Sequence, residues 1–333
     1  MSLPNGYQLN YLPLSAVFFC GAIASLLLAN APSYATEQLP LAEEADVLDF
    51  TVTAGSWMSV SVLPSGKSFI FDLLGDIYRV NIDGGDAEVV TDGMAFDSQP
   101  VVSPNGEKIA FISDRNGKDN LWIANVDGSE PIKLSEESYA QMISPAWSPD
   151  SQHIVITRRT QDVELVQYHI DGGTGVTLTQ NGDTDATKQL AGIGAAFDPK
   201  GTFIYFAERL GGPDSPTKNF PVTQIVRLNL DTGARLQITR SEGGAVRPLV
   251  SPDGQWLVYG TRFEAHTGLR IRDLHNGHDR WLIYPVQRDT QESARPSSRG
   301  MLPGYAFTPD SKAIILSSDG QFNKINLVDS ASV

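Results

Sequence analysis

The chain has 333 residues, 41% of them hydrophobic, enough for one large domain or two ordinary ones and too apolar for global disorder. Twenty-five Lys and Arg against 39 Asp and Glu give a formal net charge of −14, which excludes binding to nucleic acid or anionic lipid through clustered basic residues. A single cysteine, Cys20, excludes an internal disulfide.

Residues 1–35 carry no charged side chain, Leu12 to Ala29 is apolar, and Ser33-Tyr34-Ala35 places small residues at −3 and −1. This pattern predicts a secretory signal cleaved after Ala35 and a periplasmic or secreted mature chain with no membrane attachment. The alternative is an uncleaved anchor, since the apolar run is near the lower limit for spanning a bilayer. Residues 36–47 read as an acidic leader. Leu48 to Thr53 then alternates, with Phe50 and Val52 on one face, as a lone strand does.

From residue 48 to 333 one unit recurs. Six turns mark it: Leu63-Pro64-Ser65-Gly66, Ser103-Pro104-Asn105-Gly106, Ser148-Pro149-Asp150-Ser151, Asp198-Pro199-Lys200-Gly201, Ser251-Pro252-Asp253-Gly254 and Thr308-Pro309-Asp310-Ser311. Pro presets φ at the second position, a polar side chain at the first accepts a backbone hydrogen bond in five of the six, and Gly closes four. The prolines are 40, 45, 50, 53 and 57 residues apart. After each turn comes a nearly continuous apolar run, such as Ile109–Ile112 or Trp256–Tyr259, which predicts strands covered on both faces. A second turn series, including Asp127-Gly128 and Asn276-Gly277, suits tight hairpins. Helical periodicity is absent from Phe50 onward. Repeats of this length with four strands each predict an all-β, six-bladed propeller of four-stranded antiparallel blades. The sixth unit is one strand short, so Leu48–Thr53 is expected to close the ring as its fourth strand.

No catalytic set stands out. There is no G-x-S-x-G elbow and no H-E-x-x-H. His275 and His278, beside Asp279, form the one local histidine cluster; without a third protein ligand in view they predict a solvated turn rather than a metal site, and no cofactor is expected. The innermost strands of a propeller line its channel, which brings Trp57, Gln99, Arg247 and Tyr305 to one mouth with Asp97 and Ser144 as neighbours. Arg247, beside Pro248, either pairs structurally with Asp97 or another channel carboxylate or clamps a ligand carboxylate or phosphate; partner availability favours the pair. Gly211–Phe220 and Arg288–Pro303 are the longest insertions.

From about Thr51 to Leu327 the chain resembles the TolB-like propeller found at the N-terminus of large secreted amidohydrolases. The narrowest matches are Gly55-Ser56-Trp57-Met58-Ser59-Val60, Phe71-Asp72-Leu73-Leu74-Gly75-Asp76-Ile77-Tyr78, Arg247-Pro248 before Ser251-Pro252-Asp253-Gly254, and Leu302-Pro303-Gly304-Tyr305-Ala306-Phe307. The repeat alone is shared with TolB and with prolyl-oligopeptidase-like propellers. The resemblance implies a non-catalytic propeller that binds a protein or peptide, or that gates a hydrolase domain supplied separately. It carries over no catalytic residue, because the family's metal-binding barrel has no counterpart in these 333 residues. The alternatives are a TolB-like periplasmic interaction module and a propeller associated with a prolyl-oligopeptidase-like peptidase.

Overall fold

The computed structural model describes residues 50–160, 163–179, 191–209, 223–264, 266–288, 302 and 304–328. The expected signal and leader, the first two residues of the expected lone strand, all of 211–220 and most of 288–303 lie outside them.

Each repeat folds into one antiparallel meander. Blade 1 is β1 (Val60–Val62), β2 (Ser68–Leu73), β3 (Asp76–Asn81) and β4 (Glu88–Thr91). Blade 2 is β5 (Asp97–Val102), β6 (Lys108–Ser113), β7 (Asn120–Asn125) and β8 (Ile132–Lys133). Blade 3 is β9 (Gln141–Trp147), β10 (His153–Arg159), β11 (Val163–His169) and β12 (Gly172–Thr177). Blade 4 is β13 (Ala191–Phe197), β14 (Phe203–Arg209), β15 (Thr223–Asn229) and β16 (Arg235–Gln237). Blade 5 is β17 (Val246–Val250), β18 (Trp256–Phe263), β19 (His266–Asp273) and β20 (Asp279–Arg288). Blade 6 is β21 (Tyr305–Phe307), β22 (Ala313–Ser318) and β23 (Gln321–Asn326). The described residues contain no helix. The architecture is the expected six-bladed, all-β propeller.

The turn chemistry works as its residue types require. The Ser103 hydroxyl accepts the Lys108 N–H at 3.0 Å, Ser251 accepts Trp256 N–H at 2.9 Å and Asp198 accepts Phe203 N–H at 2.6 Å. Each first-position side chain thereby ties the inner strand's end to the start of the next strand. The turns also touch one another around the ring. A Cβ on Gly106 would lie 3.5 Å from Pro64, and one on Gly66 would lie 3.7 Å from Pro309, so the turn proline of one blade abuts the turn glycine of the next. Where Ser replaces Gly, its hydroxyl takes over the link: Ser151 accepts Asn105 N–H and Ser311 accepts Asp253 N–H, both at 3.1 Å.

Six apolar clusters separate the blades. One joins Ile70 and Ile77 to Ile109 and Phe111, the next joins Ile112 and Leu121 to Ile154 and Ile156, and the series continues round to Phe69 and Phe71 packed against Ile315. Each blade is therefore covered on both faces, which is why its second strand reads as a continuous apolar run.

The expected closing strand differs. Among the described residues the sixth sheet has three strands, and Phe50–Thr53 is not part of a sheet. Gln321 Nε2 donates to Thr53 O at 2.8 Å and Gly55 N to Gly320 O at 3.1 Å. Beyond these two bonds the segment lies beside Leu73 and Leu74 at the loop end of blade 1. The outward residues of β23, Gln321, Asn323 and Lys324, are exposed and polar, so they offer the apolar face of Phe50 and Val52 nothing to bury against. Closure comes instead from blade 6 on blade 1. Phe322 packs edge-on at 4.9 Å from Phe69 and 5.0 Å from Phe71, and Gly304 N donates to Met58 O at 2.7 Å.

Candidate functional site

The inner strands surround a channel of about 570 Å³. Five residues before each turn proline stand Ser59, Gln99, Ser144, Gly194, Arg247 and Gly304, one per blade. Four of them are left-handed: Gln99 at φ 54°, Ser144 at 57°, Gly194 at 63° and Arg247 at 50°. Strand register shifts at the same place in those four blades, between Ser98 and Val101, Val155 and Thr157, Ile193 and Ala196, and Val246 and Leu249. A bulge bends each inner strand there and re-aims one residue. Three non-glycine residues held left-handed carry local strain that the surrounding contacts must offset.

Backbone donors at these positions find side-chain acceptors, on the preceding blade in all but the Ser59 case. Asp72 accepts Ser59 N at 2.5 Å through one oxygen and Gln99 N at 2.8 Å through the other. Gln99 Oε1 accepts Ser144 N at 2.8 Å, and Thr157 Oγ1 accepts Gly194 N at 3.0 Å. This chain of bonds runs around the mouth and joins blades 1 to 4.

Gln99, Ser144, Arg247 and Tyr305 line the channel together. The Tyr305 hydroxyl donates to Arg247 O, Arg247 donates to Leu302 O, and the guanidinium carbon lies 5.2 Å from the Tyr305 ring centre. Burial pulls the Arg247 pKa down, opposed by Tyr305 and Asp72, and burial pushes the Tyr305 hydroxyl up.

Two of the six residues expected at or beside the mouth lie elsewhere. Trp57 and Asp97 line a separate groove of about 280 Å³ outside blades 1 and 2, with Phe50, Leu74 and Phe96. Asp97 does not pair with Arg247. Its Oδ2 lies 2.7 Å from Arg115, whose guanidinium also sits over the Phe111 and Trp122 rings. Arg115 is 18 residues away, on the loop after β6 of the same blade, whereas Arg247 stands on blade 5. His275 and His278 occupy the β19–β20 turn, where their backbone N–H groups donate to Asp273 and Asn276. Among the described residues no three His, Cys, Asp or Glu side chains are grouped to hold a metal.

Asp72 is the residue that site reasoning passed over. Its signal was present: it is an acid set directly between apolar residues of a second strand, Phe69-Ile70-Phe71-Asp72-Leu73. Burial pushes its carboxyl above the usual range, against the two N–H bonds that favour its charge. Nearby Asp76 is raised to about 6, first by burial and then by Asp97 and Asp92. A carboxyl raised in the folded state contributes stability below its unfolded pKa near 4 and loses it as pH rises through about 6. Asp76→Asn is therefore expected to stabilise the protein at pH 8 by about 1 kcal/mol after solvent screening. The gain should vanish at pH 4. Urea melts at both values check this, and a pH-independent gain would show that ionisation of Asp76 is not the cause.

Comparisons with known proteins agree with this geometry. Residues 52–215 match the family described as TolB beta propeller domain, which takes in the first three blades and part of the fourth. This is a TolB-like six-bladed β-propeller. A TolB homolog from Chlorobaculum tepidum is 32% identical over 108 residues, covering 32% of this chain and 24% of the relative. A Bacillus subtilis protein named uncharacterized peptidase YuxL is 27% identical over 174 residues, covering 51% of this chain and 22% of the relative. Each match therefore takes in less than a quarter of the relative's own length. The crystal structure of TolB from Acinetobacter baumannii superposes with a TM-score of 0.59 at 17% identity, covering 81% of this TolB-like chain and 62% of that one, and shows the shared fold.

Proposed function

We propose that this TolB-like propeller is an exported, non-catalytic protein-interaction module that grips a partner's acidic or C-terminal segment at the channel mouth. The observation that carries the reading is Arg247. It lines an otherwise proline-rich channel and is braced by Tyr305 and Leu302. A guanidinium held in place presents a fork that matches a carboxylate and loses little freedom on binding. Likeness to TolB homologues supports a periplasmic setting, and the uncharged residues 1–35 with their small-residue site support export.

The test pairs a peptide ending in a free carboxylate with its amide. The wild-type protein is expected to prefer the carboxylate, and Arg247→Met to lose about tenfold or more of that affinity. Equal binding by the two proteins, with lowered stability in the variant, would make Arg247 purely structural.

A second reading is favoured by the match to the protein named as a peptidase. There the propeller gates a hydrolase supplied separately, of peptidase or amidohydrolase type. Co-purification of hydrolase activity with the tagged chain, stimulated by its addition, is the expected result for that reading.

A further inference from the structure

The groove beneath Phe50 is distinct from the channel. Asp72, whose two oxygens are both bonded to backbone N–H groups, stands between them. The rim of the groove is apolar and open: Phe50 is 56% exposed, Leu74 68% and Phe96 37%. Its floor is acidic. Asp97 is only 2% exposed, and while its Oδ2 meets Arg115, its Oδ1 is buried and makes no hydrogen bond. An acceptor left alone at such depth is costly, and native structures rarely keep one without a partner that completes it.

The charges nearby do not supply that partner. Asp72, Asp76 and Asp92 surround the same end of blade 1, and Arg115 is the cation paired with Asp97 among the described residues. Trp57 forms part of the groove wall in a left-handed conformation at φ 61°, which a bulky side chain adopts only under constraint from its surroundings. Trp57 also offers an aromatic side chain to the groove that Asp97 helps to line.

We propose that this groove binds a lysine side chain of a partner peptide, with the ammonium on Asp97 Oδ1 and flanking apolar residues on Phe50, Leu74 and Phe96. A single free acceptor beside an existing guanidinium suits the compact, three-donor ammonium better than a second planar fork. The four-carbon stem fits an apolar rim over an acidic floor. The site differs from the channel in both place and ligand charge, so either assignment can fail alone.

The test titrates the full chain with Ac-Phe-Lys-Leu-NH2 and Ac-Phe-Gln-Leu-NH2 in 150 mM salt, read by tryptophan fluorescence and calorimetry. The lysine peptide is expected to bind about tenfold tighter than the glutamine peptide. Asp97→Asn should erase that preference while retaining the weaker apolar binding. Leu74→Ser, at an exposed position that does not threaten folding, should weaken both peptides alike. Equal affinity of the two peptides, absence of binding, or a preference that survives Asp97→Asn overturns the proposal.

Discussion

Gly304→Ala is expected to cost about 4 kcal/mol, a fall of roughly 8 °C in melting temperature for a domain of this size. A Cβ at that position would lie 2.4 Å from Val60 N and 2.6 Å from the Ser59 carbonyl carbon and Cα. Those atoms are backbone of the first blade, and Gly304 leads into the innermost strand of the last. The added methyl therefore has no flexible side chain to push aside, and relief requires parting blade 6 from blade 1. That movement would also stretch the Gly304 N to Met58 O bond of 2.7 Å and disturb Phe322 between Phe69 and Phe71. Gly233→Ala is the control. Gly233 has φ +71° but nothing within 4 Å of its missing Cβ, so only the conformational cost applies, about 1 kcal/mol. Thermal melts of both variants check the contrast. Equal small losses would show that closure of the ring tolerates a wider seam than this packing implies.

Asp72→Ala is expected to cost a further 4 kcal/mol or so, through a different mechanism. It strands two buried N–H donors, those of Ser59 and Gln99, on adjacent blades. It also removes a carboxylate that favours the charge of Arg247. Asp72→Asn should cost about half as much, since its amide can accept one N–H but turns a donor toward the other. The double variant with Arg247→Met should be less destabilised than the sum of the single variants by more than about 0.5 kcal/mol, because the two share one electrostatic environment. Denaturant melts of the four proteins measure this. Strict additivity would mean that Asp72 acts on the backbone alone.

The channel mouth was legible in part, and its legible members share a property. Gln99 and Arg247 each sit five residues before a turn proline, and Tyr305 follows the equivalent Gly304, so counting back from the turns finds them. Trp57 and Asp97 are two residues off that register. Their side chains accordingly belong to the groove outside blades 1 and 2. Asp97 could have been placed only by knowing that Arg115, across a strand pair, takes one of its oxygens. Asp72 was visible as an acid in an apolar run, yet its role depends on two backbone groups, one of them 27 residues away.

The closing strand shows the same boundary. Alternation in Leu48–Thr53 predicts a closing strand, and its described part, Phe50–Thr53, joins no sheet. Phe50 and Val52 instead line a groove with Leu73 and Leu74, and the segment touches β23 through the Gln321 to Thr53 bond.

By itself the sequence determined everything that a repeated unit encodes locally: the Pro-centred turns, the two-faced apolar strands, the hairpin turns and hence the six blades. These depend on φ preferences and hydrogen bonds within a few residues, which the residue types state directly. Only the tertiary structure decided how the ring shuts at Gly304, which carboxylates stand alone and which are paired, and that the mouth is held by left-handed bulges. Those outcomes rest on contacts across strands and between blades, from Asp97 with Arg115, 18 residues apart, to Gln99 with Ser144 and Asn105 with Ser151, 45 and 46 apart. No local preference specifies them, because each is a competition among partners that exist only once the blades have packed.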